Sequence, residues 1–222
     1  MDNIPKRKNT FFLIICCSIT LITFILFFCS AEKIYKKVMS SHIKECITII
    51  IDPGHGGEDG GASSEYSLAL EKDLNLKIAQ NLNALLRCSA YKTVMTRIDD
   101  NDISGNEQTT RKRKVADIHN RLKITQQYDN AILISIHQNK FSDAKYHLDQ
   151  VFFSKKNEKS KILAESIQST LKNLLDENND RVVKAAGKNI YLLYNCKCPA
   201  VLVECGFLSN QDESKKLNES KY

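Results

Sequence analysis

Between Thr10 and Ala31 the chain has no charged residue. No serine or cysteine stands in a recognisable strand-to-helix nucleophile elbow, which argues against covalent acyl chemistry. Cysteine is present but poorly placed for a structural metal: Cys16, Cys17 and Cys29 fall in the apolar segment, and Cys196-Lys-Cys198 has no second close pair to complete a thiolate zinc site. The remaining spacing, with Cys46, Cys88 and Cys205, is not that of a small disulfide scaffold. A nucleic-acid-binding stripe is missing too. Residues 1–45 carry seven Lys and Arg against three Asp and Glu, and the remainder carries 25 against 23, so the basic excess belongs to the flanks of the apolar segment. The one dense basic run, Arg111 to Lys114, reads as a solvated helix face. Glycine is scarce, and five of the eight fall within IDPGHGGEDGGA, which begins at Ile51.

The apolar segment is long enough to cross a bilayer as a helix, since about 20 residues suffice. Lys6, Arg7 and Lys8 before it favour a cytoplasmic N-terminus, against the pull of Lys33, Lys36 and Lys37 behind it. The expected organisation is a cytoplasmic stub and transmembrane anchor over 1–31, a charged linker over 32–45, and one catalytic domain over 46–222 lying outside the cytoplasm. A signal peptide cleaved after the small residues Cys29-Ser30-Ala31 is the alternative.

Six short β-rich stretches follow: Cys46–Asp52, Tyr91–Arg97, Ala131–His137, Leu148–Ser154, Asn189–Tyr194 and Ala200–Gly206. Amphipathic stretches alternate with them, with apolar faces at Leu74, Ile78, Leu82 and Leu85, then Val115, Ile118 and Leu122, then Ile162, Ile167, Leu171 and Leu174. The pattern predicts an α/β fold, a single twisted, mixed and mostly parallel six-stranded sheet with helices on both faces. Ligands of such sheets bind beyond the carboxyl ends of the strands.

Chemistry-bearing residues stand at those ends. His55 follows the first strand, His137 closes the third and Glu204 lies near the end of the sixth, while Glu71 opens the first helix. Two imidazoles and a carboxylate with one open position make a catalytic zinc arrangement. Gly54, Gly56 and Gly57 let the backbone turn His55 towards such a metal, and Asp52 is placed to accept the other ring N–H of a ligating histidine. Glu58 rivals Glu71, because His55-Gly-Gly-Glu58 has the HxxE spacing of zinc carboxypeptidases; the residue pattern leaves both open. His42, His119 and His147 read as ordinary surface.

The ordered set IDPGHGGEDGGA, LEKDLNLKIA, TRIDD, SIHQN and PAVLVECGFLSN resembles the zinc-dependent N-acetylmuramoyl-L-alanine amidases of bacterial cell-wall metabolism, over nearly the whole chain from Cys46 onward. The resemblance implies that His55, Glu71 and His137 hold Zn2+ and that Glu204 is catalytic. The stretches TRKRKVADIHNRLKI and RVVKAAGKNIYLLYNCKCPAVLVE are similar to the germination-specific amidases of spore-forming bacteria. That narrower likeness implies a membrane-tethered enzyme acting in the forespore intermembrane space on cortex peptidoglycan. It would remove stem peptides ahead of muramic-δ-lactam formation, which a deacetylase completes. A wall hydrolase requires restraint, and no long inhibitory insertion stands between Ile103 and Thr110, so control by an accessory activating protein or by the timing of its synthesis is expected. Gln138 and Cys205 depart from the small residue and the threonine common in that family. A carboxypeptidase built on His55 and Glu58, or a non-catalytic wall-assembly module tethered to the membrane, are the competing readings.

Overall fold

The computed structural model describes residues 17–34, 47–219 and 221–222. Helix α1, Cys17–Ile34, is long and apolar enough to cross a membrane and runs three residues past the expected boundary at Ala31. Residues 10–16 of the apolar segment, Cys46, and His42 with the rest of 35–45 lie outside the described residues.

Residues 47–222 form a separate compact unit. It holds β1 (Thr48–Pro53), α2 (Glu71–Cys88), β2 (Lys92–Met95), α3 (Thr110–Thr125), β3 (Ala131–Asn139), β4 (Gln150–Phe153), α4 (Lys159–Leu175), β5 (Lys184–Ala185), α5 (Tyr191–Asn195), β6 (Ala200–Phe207) and α6 (Gln211–Lys216). The strands make one six-stranded sheet in the order β2-β1-β3-β6-β4-β5. β1, β2, β3 and β6 run parallel, β4 is antiparallel to β6, and β5 parallel to β4. The expected mixed, mostly parallel sheet is the one observed.

Strand alternation divides the core between the two faces. Ile50, Leu133, Ala200 and Leu202 pack with Leu192 and Leu193 beneath Ile118 and Leu122 of α3. Ile49, Ile51, Ile136, Val201 and Val203 pack with Ala79 of α2 and Ala164 of α4 on the other face. Truncating a fully buried side chain such as Ile50 to alanine costs about 2–5 kcal/mol. A smaller cluster of Leu74, Leu208 and Leu217 ties the chain after β6 to α2.

Two details depart from the sequence expectation. Asn189–Tyr194 is not a strand: its apolar run forms α5, where adjacent Leu192 and Leu193 are both buried in one cluster, whereas a strand would send them to opposite faces. The fifth strand is instead Lys184–Ala185, two exposed residues paired to β4. In addition, Leu85, Val115, Ile162 and Leu174 face solvent, and their helices bury neighbours such as Leu86, Ala164 and Gln168 in their place.

The end of β3 positions the site. His137 pairs with Glu204, but Asn139 pairs with Phe207, so β6 bulges by one residue past Glu204. Bulges at a sheet rim bend the strand and re-aim its side chains.

Candidate active site

Three elements converge at the carboxyl rim of the sheet. His55 lies in the glycine loop after β1 with φ 62°, a left-handed conformation that histidine adopts more readily than most residues. Two arginines hold that loop by its carbonyls. Arg97 donates to Pro53 O at 2.9 Å and Gly54 O at 3.0 Å, and Arg121 to Pro53 O and His55 O at 2.7 Å each. The loop then returns to cap α2, its Ala62 and Gly60 carbonyls accepting from Glu71 N and Lys72 N. This cap holds Glu71 beneath the loop.

Glu71 Oε1 stands 3.2 Å from His55 Nε2 and 2.9 Å from His137 Nδ1, and Glu71 Oε2 accepts from Ala62 N at 2.8 Å. The two imidazoles lie edge to face with centroids 5.0 Å apart. One donor atom from each of His55, Glu71 and His137 falls within 4.8 Å of the others, the group able to hold a metal ion among the described residues. Close approach demands glycine at two points. A Cβ on Gly54 would lie 2.2 Å from the His137 ring, and one on Gly61 2.6 Å from Glu71 Oε2 and 2.8 Å from the His55 ring.

The electrostatics favour a cation here. Burial lowers the His55 pKa, but hydrogen bonds to Asp59 and Glu71 overcome it and raise the ring to about 9. Burial also opposes the charge on Glu71, yet the two imidazoles hold that carboxyl well below the usual range. An imidazole with a raised proton affinity and a carboxylate held in its charged form, with a second imidazole beside them, fit a divalent metal. Glu204, directly across from His137, completes the rim. Its Oε2 is buried with no hydrogen-bond partner, and burial pushes its carboxyl up to about 7.

The residue behind His55 is not the expected one. Asp52 does not meet the imidazole; it accepts from Arg121 Nη1 at 2.7 Å, Thr96 Oγ1 at 2.7 Å and Ser135 Oγ at 2.6 Å. Strand alternation turns Asp52 towards α3, below the loop. Asp59 takes the place at His55 Nδ1, 3.0 Å away. It sits four residues on, where the glycine turn doubles back through the paired Gly56 and Asp59.

Glu58 points outward to Arg113 at 2.5 Å and lies outside the convergent group. Lys114 pairs with Asp59 at 2.8 Å, so half of the basic run on α3 makes ion pairs with the glycine loop, although Lys114 itself stays exposed. His119 stacks near Tyr191, and His147 is exposed. Of the two departures, Gln138 donates its backbone N–H to Glu71 Oε1, and burial raises the Cys205 thiol to about 12, which keeps it protonated. A cavity of about 140 Å³ opens beside His55 and His137, walled by Asp59, Arg113 and Arg121.

Residues 49–222 match the N-acetylmuramoyl-L-alanine amidase family. The germination-specific N-acetylmuramoyl-L-alanine amidase of Bacillus subtilis is 35% identical over 176 residues, 78% of this chain and 72% of the relative. Among solved structures, the CwlD amidase from Clostridioides difficile, in complex with the GerS lipoprotein, superposes with a TM-score of 0.76 at 40% identity, covering 79% of this chain and 90% of that one. An N-acetylmuramoyl-L-alanine amidase from Clostridium difficile 630 gives a TM-score of 0.68 at 32% identity, covering 80% and 88%. The chain therefore belongs to the N-acetylmuramoyl-L-alanine amidases, hydrolases of cell-wall peptidoglycan.

Proposed function

We propose that this amidase is zinc-dependent, with His55, Glu71 and His137 as its metal ligands and Glu204 as its catalytic base. The observation carrying the reading is the convergence of those three donors within 4.8 Å, with an unpartnered buried carboxyl across the strand pair. Zinc bound there would polarise the amide carbonyl between the lactyl group of N-acetylmuramic acid and L-alanine and make the attacking water more acidic. Glu204 takes the proton of that water and delivers it to the departing amine of L-alanine; a carboxyl lifted to about 7 suits both transfers near neutral pH. Asp59 fixes the orientation of the His55 ring, and the Glu71 carboxylate is held by Ala62 N and Gln138 N. The carboxypeptidase reading loses its carboxylate, since Glu58 is turned to Arg113.

The biological setting follows the similarity to the Bacillus subtilis and Clostridioides difficile amidases: cortex peptidoglycan of the spore, cut ahead of lactam formation by a deacetylase. Helix α1 acts as an uncleaved anchor for the 46–222 catalytic domain on the outer side of the membrane, the forespore intermembrane space. The complex of the C. difficile amidase with a lipoprotein supports an accessory protein partner here as well.

The test incubates the full chain, purified in detergent and loaded with zinc, with cortex peptidoglycan and follows release of stem peptides by mass spectrometry. Intact peptides beginning with L-alanine, absent after chelation and restored by zinc, are the expected products. Release of single terminal amino acids instead would sink the proposal.

A further inference from the structure

The sequence Cys196-Lys-Cys198, unused by the amidase site, joins α5 to β6 at the opposite end of the sheet. Six residues of roughly 3.3 Å rise place Cys198 about 20 Å along the chain from Glu204. Cys196 is fully buried in the cluster with Leu192, Leu193 and Ala200, and partly buried Cys198 packs against it. Their sulfurs are 3.2 Å apart, and both are free thiols. No other described cysteine shares that contact: Cys17, Cys29 and Cys88 are exposed elsewhere, and Cys205 bonds to Val203 O.

The pair is accessible from one side. Cys198 opens on a depression of about 720 Å³ that is also lined by Tyr128, Lys159, Lys197 and Pro199. Lys159 and Lys197 on its wall favour an anionic reagent, while the bond to Cys196 and burial hold the Cys198 thiol above its ordinary value. Against its burial, the hydrogen bond from Cys198 draws the Cys196 thiol down to about 7, so the pair sheds its first proton near neutrality and shares the second between two sulfurs.

We infer that Cys196 and Cys198 form a reversible redox site that closes to an intramolecular disulfide on meeting a small or protein disulfide oxidant. Cys198, the sulfur on the open side, attacks one sulfur of the oxidant and displaces the other as a thiolate. As it attacks, its proton passes across the 3.2 Å contact to Cys196. Cys196 then gives up this proton, attacks the Cys198 sulfur and expels the second thiolate. The two cysteines lose two electrons and two protons in all, and the oxidant leaves as two thiols. Closing so short a loop removes little freedom from the unfolded chain, so the bond works as a switchable clasp rather than a structural staple.

The full chain in detergent would be equilibrated with glutathione and glutathione disulfide at graded ratios, quenched with an alkylating agent, and digested with a protease that spares Lys197. The peptide holding both cysteines should become ~2 Da lighter and refuse the alkylator at ratios that leave Cys88 largely unmodified, and dithiothreitol should reverse this. In Cys196→Ser, Cys198 should instead accumulate a stable glutathione adduct. Because Cys196 lies in the core, Cys198→Ser provides a second variant, and in it Cys196 should remain unoxidised. Two alkylated cysteines at every ratio, or an unresolved adduct on Cys198 in the unmutated chain, would overturn the inference.

Discussion

His137 and Glu204 stand directly opposite each other on neighbouring parallel strands, one step before β6 bulges. The pairing gives two rigid positions to groups of different duty, a donor facing Glu71 and a buried carboxyl with no protein partner. Glu204→Gln keeps the shape of the rim and removes the proton acceptor. Turnover should fall by about 10²–10⁴, while zinc content by elemental analysis stays at the unmutated level. His137→Ala should lose metal and turnover together. A Glu204→Gln protein that still released stem peptides at the normal rate would remove Glu204 from the reaction.

Gly54 and Gly60 belong to the same loop but tolerate a methyl group differently. At Gly54 the new Cβ would collide with the His137 ring at 2.2 Å, whereas at Gly60 it would meet only Leu70 at 3.7 Å. Gly54→Ala must therefore push the imidazole away, and a displacement near 1 Å lowers turnover by about a hundredfold. Gly60→Ala should leave stability within about 0.5 kcal/mol. Thermal melts and stem-peptide release on the two variants check the contrast, which fails if they behave alike.

What the sequence made legible was whatever an apolar run or a strand end carries. β1, β3 and β6 are buried along most of their length, and their continuous Ile, Leu and Val show it. β5 is two exposed residues held only by backbone pairing, so no side-chain pattern marks it. His55, His137 and Glu204 stood out because they follow such runs. The choice of Glu71 over Glu58 came from the family resemblance, since spacing alone served both, and the structure shows Glu58 drawn outward by α3. Arg97 and Arg121 passed unnoticed for a physical reason. Arginine usually reads as surface, and only tertiary contacts with Asp52 and the Pro53, Gly54 and His55 carbonyls take these two inside.

Asp59 was overlooked for the same reason, and it yields a prediction distinct from Glu204. It backs the His55 ring, and loss of such a partner lowers metal affinity by about 10–100-fold. Asp59→Asn should weaken zinc binding by that much in a competition titration with a chromogenic chelator, with turnover largely recovered at saturating zinc. Asp52→Asn should not weaken zinc binding in this direct way, because Asp52 never touches the imidazole. Equal losses in both variants would deny Asp59 its role.

Asp52 and Arg121 govern acid stability instead. Both side chains are almost wholly buried and bond at 2.7 Å. Burial alone would raise the Asp52 carboxyl, but Arg121, Ser135 and Thr96 overcome it and hold the carboxyl below its ordinary value. The folded state thus binds the Asp52 proton more weakly than the unfolded chain does. Its stabilisation is complete above the unfolded pKa of about 3.9 and declines as pH falls through the lower folded value. Removing one partner of a buried pair costs about 3–5 kcal/mol, a large part of the ~5–15 kcal/mol that holds a typical domain folded. Arg121→Ala should incur that cost near neutral pH and release the carbonyls of Pro53 and His55 as well, so denaturant midpoints and zinc content should fall together. For Asp52→Asn the deficit relative to the unmutated protein should narrow as the pH drops below about 4, where the wild-type carboxyl begins to lose its own charge. A deficit that stayed constant across that window in denaturation curves would mean the ion pair is not the source of the difference.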